Sequence, residues 1–319
     1  MKKSKLQNTA IVALVAMLCC ALWGSAFPCI KIGYRLFGIA GNDSATQILF
    51  AGMRFTLAGI LVILIGSLMY KQPLLPNKKN AGKIIHLSLY QTILQYVFFY
   101  VGLAHTTGVK ASIIVGTNVF LAILISSLFF KMEKLNLYKI VGCILGFSGV
   151  ILINAKGGFS LLAMNPLGDT LIFLCTVSSA LSSVYIKRFG SEENPVLLSG
   201  WQFGFGGVVM MIVGLVAGGR VSMHTAPQAI LLLYLSLISA VAYTLWALLL
   251  QHNPVSKVAV FGFLNPIFGV LLSIAFLPGE NSNFGFLGVL SLICIAAGIA
   301  IVNGKKAKKM SASIDSAEK

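Results

Sequence analysis

Ten apolar runs divide the chain, near residues 9–31, 45–70, 84–104, 107–130, 137–154, 167–187, 195–218, 228–250, 256–277 and 284–303. A helix crossing a bilayer needs roughly 20 mostly apolar residues, and most of these runs supply that. They are apolar on every side. Barrel strands would instead alternate apolar and polar positions over about ten residues. Gly, Pro, Asn and charged residues fill the gaps, as turns require. The pattern predicts an all-α integral membrane protein with ten transmembrane helices. The first run has a basic start (Lys2, Lys3, Lys5), but its apolar character continues through Trp23 to Ile32 with no small-x-small cleavage site. It is read as an uncleaved helix rather than a leader.

Composition agrees with this reading. Of the 319 residues, 57% are hydrophobic and 10% charged, and the mean hydropathy is +0.91. Soluble domains carry about 25% charged residues. A soluble enzyme, a disordered chain and a fibrous protein are excluded. The net charge of +16 lies in short clusters between apolar runs, which argues against a nucleic-acid partner and for membrane lipids. With the N-terminus in the cytoplasm, 18 of the 24 Lys and Arg fall in inside segments and five in outside ones. That bias predicts a multi-pass protein of the plasma (inner) membrane with both termini cytoplasmic. The basic tail, 305–319, would lie near anionic headgroups. The six cysteines sit in apolar stretches and read as small hydrophobes. There is no phosphate-binding loop, nucleophile elbow or His/Cys metal cluster, so no cofactor, metal or enzymatic activity is expected.

The chain also resembles itself. A shift of 147 matches Tyr96 with Tyr243, His105 with His252, Lys110 with Lys257, Asn118 with Asn265 and Glu133 with Glu280. A shift of 148 matches Gly52 with Gly200 and Phe55 with Phe203, and a shift of 156 matches Cys19 with Cys175 and Lys31 with Lys187. Residues 1–154 and 166–304 thus read as two five-helix repeats joined by a loop at 155–165. Five is odd, so the second repeat enters the membrane from the opposite side. Inverted repeats of this kind build many secondary transporters, with the substrate site near the midplane between the halves.

Four short motifs then carry a family resemblance. They are Trp23-Gly24-Ser25-Ala26-Phe27 closing at Lys31, Arg54-Phe55 in the second run, Glu133 and Glu280 after the fourth and ninth, and Asn265-Pro266 in the ninth. Over residues 9–303 the chain resembles the EamA branch of the drug/metabolite transporter superfamily. The fourth run departs from the pattern, because Asn118-Val119 lacks the proline. The resemblance implies ten helices around a central cavity lined by spans one, three, four, six, eight and nine. It also implies export or exchange of small organic solutes, with amino acids common among them.

Polar side chains inside lipid are costly and single out candidate site residues. Asn118 and Asn265 lie about eight residues into their spans, near the midplane, and suit either a polar metabolite or a helix–helix hydrogen bond. Trp23, Tyr96, Tyr243 and Trp246 form a possible aromatic cavity wall, with plain packing as the alternative. Arg54 is the basic residue deep in a span. It reads as an anion or gating contact, or as a structural pin, and its repeat mate is the neutral Gln202. Pro28 and Pro266 are candidate kinks. No acid lies deep in a span, which fits exchange or facilitated export better than carboxylate-coupled pumping. The expected function is a secondary transporter of a small organic metabolite, an amino acid or related solute, working by alternating access, as an exporter. The alternatives are an importer or exchanger of phosphorylated or nucleotide sugars, a non-transporting sensor and a lipid enzyme. The substrate, the coupling ion and the choice between monomer and homo-oligomer are left open by the sequence.

Overall fold

The structure, a computed structural model, describes residues 5–105, 111, 114–154, 165–276 and 286–304. Lys110, Glu280, nearly all of the 155–165 loop and the 305–319 tail lie outside these residues. Among the described residues every regular element is helical. We number the rods α1 (Thr9–Phe37), α2 (Ser44–Tyr70), α3 (Lys78–Leu87, then Ser88–Leu94 and Gln95–His105), α4 (Ile114–Phe129) and α5 (Leu137–Asn154). They continue with α6 (Pro166–Gly190), α7 (Pro195–Val216), α8 (Ala226–His252), α9 (Val255–Phe276) and α10 (Phe286–Asn303). Eight of these are long and apolar enough to cross a membrane, and α4 and α5 are shorter apolar helices. Their outer surfaces carry Phe129, Val216 and Phe286, each at least 80% exposed. So much bare apolar surface is stable against acyl chains and not against water.

Helix ends follow local chemistry. Asn8, Asp43, Asn165 and Asn194 cap α1, α2, α6 and α7 with their side-chain oxygens. Hydrogen bonds from Thr46 hold the Asp43 carboxyl below the usual carboxylate range. Two boundaries differ from the apolar runs. Helix α1 continues past residue 31 to Phe37, because Lys31 and Arg35 sit in its last turns and only Gly38, left-handed at φ 65°, stops it. Helix α3 begins at Lys78, where a capping box between Asn77 and Asn80 starts a polar first turn ahead of the apolar run.

Two rods change pitch. Ser88–Leu94 in α3 and Ile125–Phe129 in α4 are π-helical. In α9 the chain tightens to a 3-10 turn at Val260–Phe263 before resuming at Leu264. Pro266 follows at once. Its ring opposes the carbonyl of Gly262 and it has no N–H to give, so the irregular turn falls where proline forbids α-helical continuity. Pro28, by contrast, lies inside an uninterrupted α1.

Packing is ordered in matched pairs. The most extensive contact joins α2 to α7, followed by α5 to α10. Helix α1 packs on α8 and α9, and α6 packs on α3 and α4. The α2–α7 seam is closed through glycine. A Cβ on Gly59 would meet the Gly204 nitrogen at 2.3 Å, and one on Gly207 would meet the Thr56 nitrogen at 2.4 Å. Close backbone approach of this kind is how helices associate without a hydrophobic drive between them.

The seam yields a directional prediction. Gly59→Val pushes a side chain into facing backbone and should lower the detergent melting temperature steeply, since overpacking typically costs about 1–3 kcal/mol. Gly204→Ala points into open space and should melt like the parent. Equal melting of the two variants would contradict the seam.

Candidate functional site

The structure gathers four of the aromatic candidates at the contact between the halves. Trp23 on α1 lies 4.9 Å from the Tyr243 ring and 5.1 Å from Trp246, both on α8. The hydroxyls of Tyr96 on α3 and Tyr243 on α8 are 2.6 Å apart. Phe55 packs 4.5 Å from Tyr96 and stacks at 5.5 Å on Phe203, which in turn meets Tyr243 at 5.0 Å. Tyr96–Tyr243 and Phe55–Phe203 are pairs that the sequence shifts matched. Tyr96 and Tyr243 are partly buried. The indole N–H of Trp23 is buried with no partner among the described residues.

The two asparagines differ in partners. Asn118 donates from Nδ2 to Ser179 Oγ on α6 at 2.7 Å, a helix–helix bond. Asn265 keeps a buried Oδ1 with no partner among the described residues. Both residues are partly buried.

Arg54 and Gln202 make the same contact in the two halves. Arg54 on α2 donates from Nε to Ser239 Oγ on α8 at 2.9 Å. On the other side, Thr92 on α3 donates to Gln202 Oε1 on α7 at 2.8 Å. Thr92 and Ser239 stand 147 residues apart, so both members of the contact are repeat mates. Gln202 has a partner at each end of its side-chain amide. It also donates to Gln91 Oε1 at 2.9 Å, and its backbone carbonyl accepts from Ser88. The π-helical turn of α3 brings Gln91 and Thr92 onto the side-chain amide and Ser88 onto the backbone of the same residue. The space beside it, lined by Gln91, Ser199 and Gln202, is about 10 Å3, close to what one water needs. Arg54, 3% exposed, has no carboxylate partner among the described residues. Its guanidinium lies 5.0 Å from the Phe55 ring.

A second polar cluster was not legible in the sequence. At the end of the bundle where α1 begins, Glu133 in the α4–α5 loop accepts from Ser126 at 2.8 Å, from the Ser256 backbone N–H at 2.8 Å and from the Ser256 hydroxyl. It also pairs with Lys139 at 2.9 Å, and both charged side chains are under 10% exposed. The carboxylate therefore caps α9, a helix of the other half, and not the helix that follows it. At the same end Lys83 pairs with Glu192 and Glu193, and Lys257 donates to the Gln7 carbonyl. These bridges join residues of segments 1–154 and 166–304 of the chain at this end. The free cysteines are apolar fillers: Cys19 and Cys20 are fully buried against the carbonyls of Ala242 and Phe261.

A helical bundle with lipid-facing apolar surface and buried polar contacts defines a multi-pass membrane protein. Its sequence matches the EamA-like transporter family over residues 10–155 and again over 166–304, and the chain belongs to that family within the drug/metabolite transporter superfamily. Its relatives include "Uncharacterized transporter YvbV" of Bacillus subtilis, 27% identical over 99% of this chain and 98% of that protein. An "Uncharacterized transporter" of Archaeoglobus fulgidus is 27% identical over 92% and 97%. "Uncharacterized inner membrane transporter YedA" of Escherichia coli K12 is 28% identical over 82% and 80%. A solved structure described as "Crystal structure of protein" superposes with a TM-score of 0.71 at 16% identity, over 91% of this chain and 97% of that one, and supports the fold alone. The protein is therefore a membrane transporter by family, embedded in lipid and acting on a small molecule.

The Glu133 cluster makes a test. Glu133→Ala leaves Lys139 buried without its counter-ion and exposes the start of α9, and breaking such a pair costs about 3–5 kcal/mol. Ser256→Ala removes a neutral donor, worth about 1 kcal/mol. The melting temperature should fall far more for Glu133→Ala than for Ser256→Ala; the reverse order would mean that the carboxylate is not what holds this end.

Proposed function

We propose that the protein is a secondary carrier moving a small organic metabolite by alternating access, in the outward direction. Ten spans form two inverted five-helix halves, 1–154 and 166–304, with both termini in the cytoplasm of a bacterial-type inner membrane. The two-block family match and the paired packing of α1 with α8 and α9, and of α6 with α3 and α4, support the inverted arrangement. Trp23, Tyr96, Tyr243 and Trp246 line the substrate cavity together with Asn118 and Asn265. Pro28 and Pro266 serve as bending points of the cavity helices. Arg54 and Gln202 stand beside the cavity, Gln202 as a structural contact between α7 and α3 and Arg54 as a gating or anion contact.

The observation that carries this reading is the 2.6 Å contact between the Tyr96 and Tyr243 hydroxyls. Repeat mates meet at a two-fold axis, where an inverted pair builds its substrate site. Each phenol gives the other a hydrogen-bond partner across the two helices. A polar solute entering between them replaces one hydrogen bond by two. The end held by Glu133, Lys83 and Lys257 is the cytoplasmic gate, here shut.

The test is solute flux in liposomes containing the purified protein, loaded with mixed metabolites and read by mass spectrometry. Parent protein should exchange at least one solute. Tyr96→Phe and Tyr243→Phe should keep the fold, losing about 1 kcal/mol of hydrogen bonding, yet slow exchange about tenfold. Exchange that ignores both substitutions would move the site elsewhere, and no exchange of any solute would sink the carrier reading.

A further inference from the structure

Arg54 is the group that the closed structure leaves unfinished. A charge taken out of water has to be paired or it is expensive to keep. Among the described residues every carboxylate is engaged or placed elsewhere. Glu133 holds Lys139, Glu192 and Glu193 hold Lys83, Asp43 caps α2, and Asp169 lies in the first turn of α6. Arg54 has one hydrogen bond, through Nε, to a serine hydroxyl that itself bonds the Leu235 carbonyl. Arginine is not deprotonated in proteins, so the positive charge stays.

The repeat shows how such a position is satisfied when it is structural. Its mate Gln202 is neutral, donates to Gln91, accepts from Thr92 and is 0% exposed. An amide is sufficient to pin α7 to α3. Pinning α2 to α8 thus needs no charge, and the guanidinium fork is in excess of that task. Its surroundings point the same way. The cation lies 5.0 Å from the Phe55 ring, which packs on Tyr96, and the hydrogen bond between the Tyr96 and Tyr243 hydroxyls leaves one of their two protons free to donate. Beyond Tyr243, the Trp23 N–H is a second buried donor without a partner. Contacts run unbroken from Arg54 through Phe55, Tyr96 and Tyr243 to Trp23.

From this arrangement we propose that Arg54 is the anion-binding residue of the substrate site, and that the substrate is a small solute carrying a single carboxylate. The proposal rests on the carrier reading above and narrows its substrate class. Guanidinium and carboxylate match as a two-pronged pair. Charge balance favours the monoanion. One buried cation neutralises one carboxylate, whereas a phosphate dianion would leave a negative charge in the membrane interior, and no second buried cation stands among the described residues near Arg54. The tyrosine hydroxyls complete the oxygens' hydrogen bonds, and the Trp23–Tyr243–Trp246 surface takes the remainder of the solute.

The experiment has two arms on the full-length purified protein. In the first, Arg54→Met and Arg54→Gln are melted in detergent without added solute. Ser239 retains its bond to Leu235, so no orphan is left, and both variants should melt at or above the parent temperature. A clear fall for both makes Arg54 a structural pin and overturns the proposal. In the second, the proteinogenic amino acids and C2–C6 monocarboxylic acids are titrated beside their uncharged amides, inorganic phosphate and chloride. At least one acid should stabilise the parent, with its amide weaker on the order of 100-fold, as expected when one partner of a buried charge pair is removed. Arg54→Lys should weaken the acid, and Arg54→Gln should bind acid and amide alike. Equal binding of acid and amide to the parent, retention of the preference in Arg54→Gln, a match by phosphate or chloride, or no response to any carboxylate each overturns it. Flux separates the two readings. A carried solute without a carboxylate ends this inference and leaves the carrier standing, and a carboxylate bound at Arg54 but never moved does the opposite.

Discussion

The backbone contact between α2 and α7 is the constraint on which the other contacts depend. It is closer than side chains allow, because Gly59 approaches the Gly204 nitrogen and Gly207 approaches Thr56. In hydrocarbon no water is expelled when two helices meet, so association has to come from intimate packing and from polar groups that find partners. Once α2 and α7 are pressed together, Phe55 and Phe203 stack across the junction. Arg54 and Gln202, one residue earlier on the same two helices, are then directed to α8 and α3. The tyrosines of α3 and α8 are brought together by the same geometry. A shift of α2 along α7 would undo all of these contacts at once.

The polar ends obey a different rule. There water competes, and exposed ion pairs are worth little. Lys83 and Glu192 are of that kind, with Glu192 58% exposed. Glu133 is not, because its loop folds under the start of α9 and covers both partners. A carboxylate on a helix N-terminus gains from the free N–H groups as well as from the lysine. The cost of parting these groups is what makes the cluster suitable as a latch between halves.

Much of this was legible in the sequence, for physical reasons. Lipid tolerates only helices that satisfy their own backbone, so apolar length alone located the rods. Repeat mates were legible wherever both copies kept a rare residue type, as with Tyr96 and Tyr243. Four features were not, or only faintly. Glu133 finds its partner 123 residues away, at Ser256, and nothing local marks that pairing. The π-helical turn at Ser88–Leu94 arises from converging on Gln202, a tertiary demand that overrides helix propensity. The Arg54–Ser239 contact was signalled weakly, by Thr92 and Ser239 at the same 147-residue spacing, but hydroxyl residues are too common in such helices to stand out. The extension of α1 to Phe37 was hidden because the hydropathy falls at Lys31 while the helix, its basic side chains reaching outward, does not end.

An inverted pair of halves provides two equivalent conformations and, with them, no preference for any solute. Preference has to come from positions where the halves differ in chemistry while agreeing in geometry. Position 54 and its mate at 202 each meet a hydroxyl on a neighbouring helix, Arg54 as donor and Gln202 as acceptor, and differ by a full charge. On one side the polar demand is closed by the fold itself. On the other the fold stops short and leaves a cation beside the Phe55 ring. That difference breaks the symmetry in favour of a negatively charged guest on the α2–α8 side. A symmetric gate and an asymmetric site can therefore coexist in one bundle, because the first is set by the backbone seam and the second by a single side chain beside it.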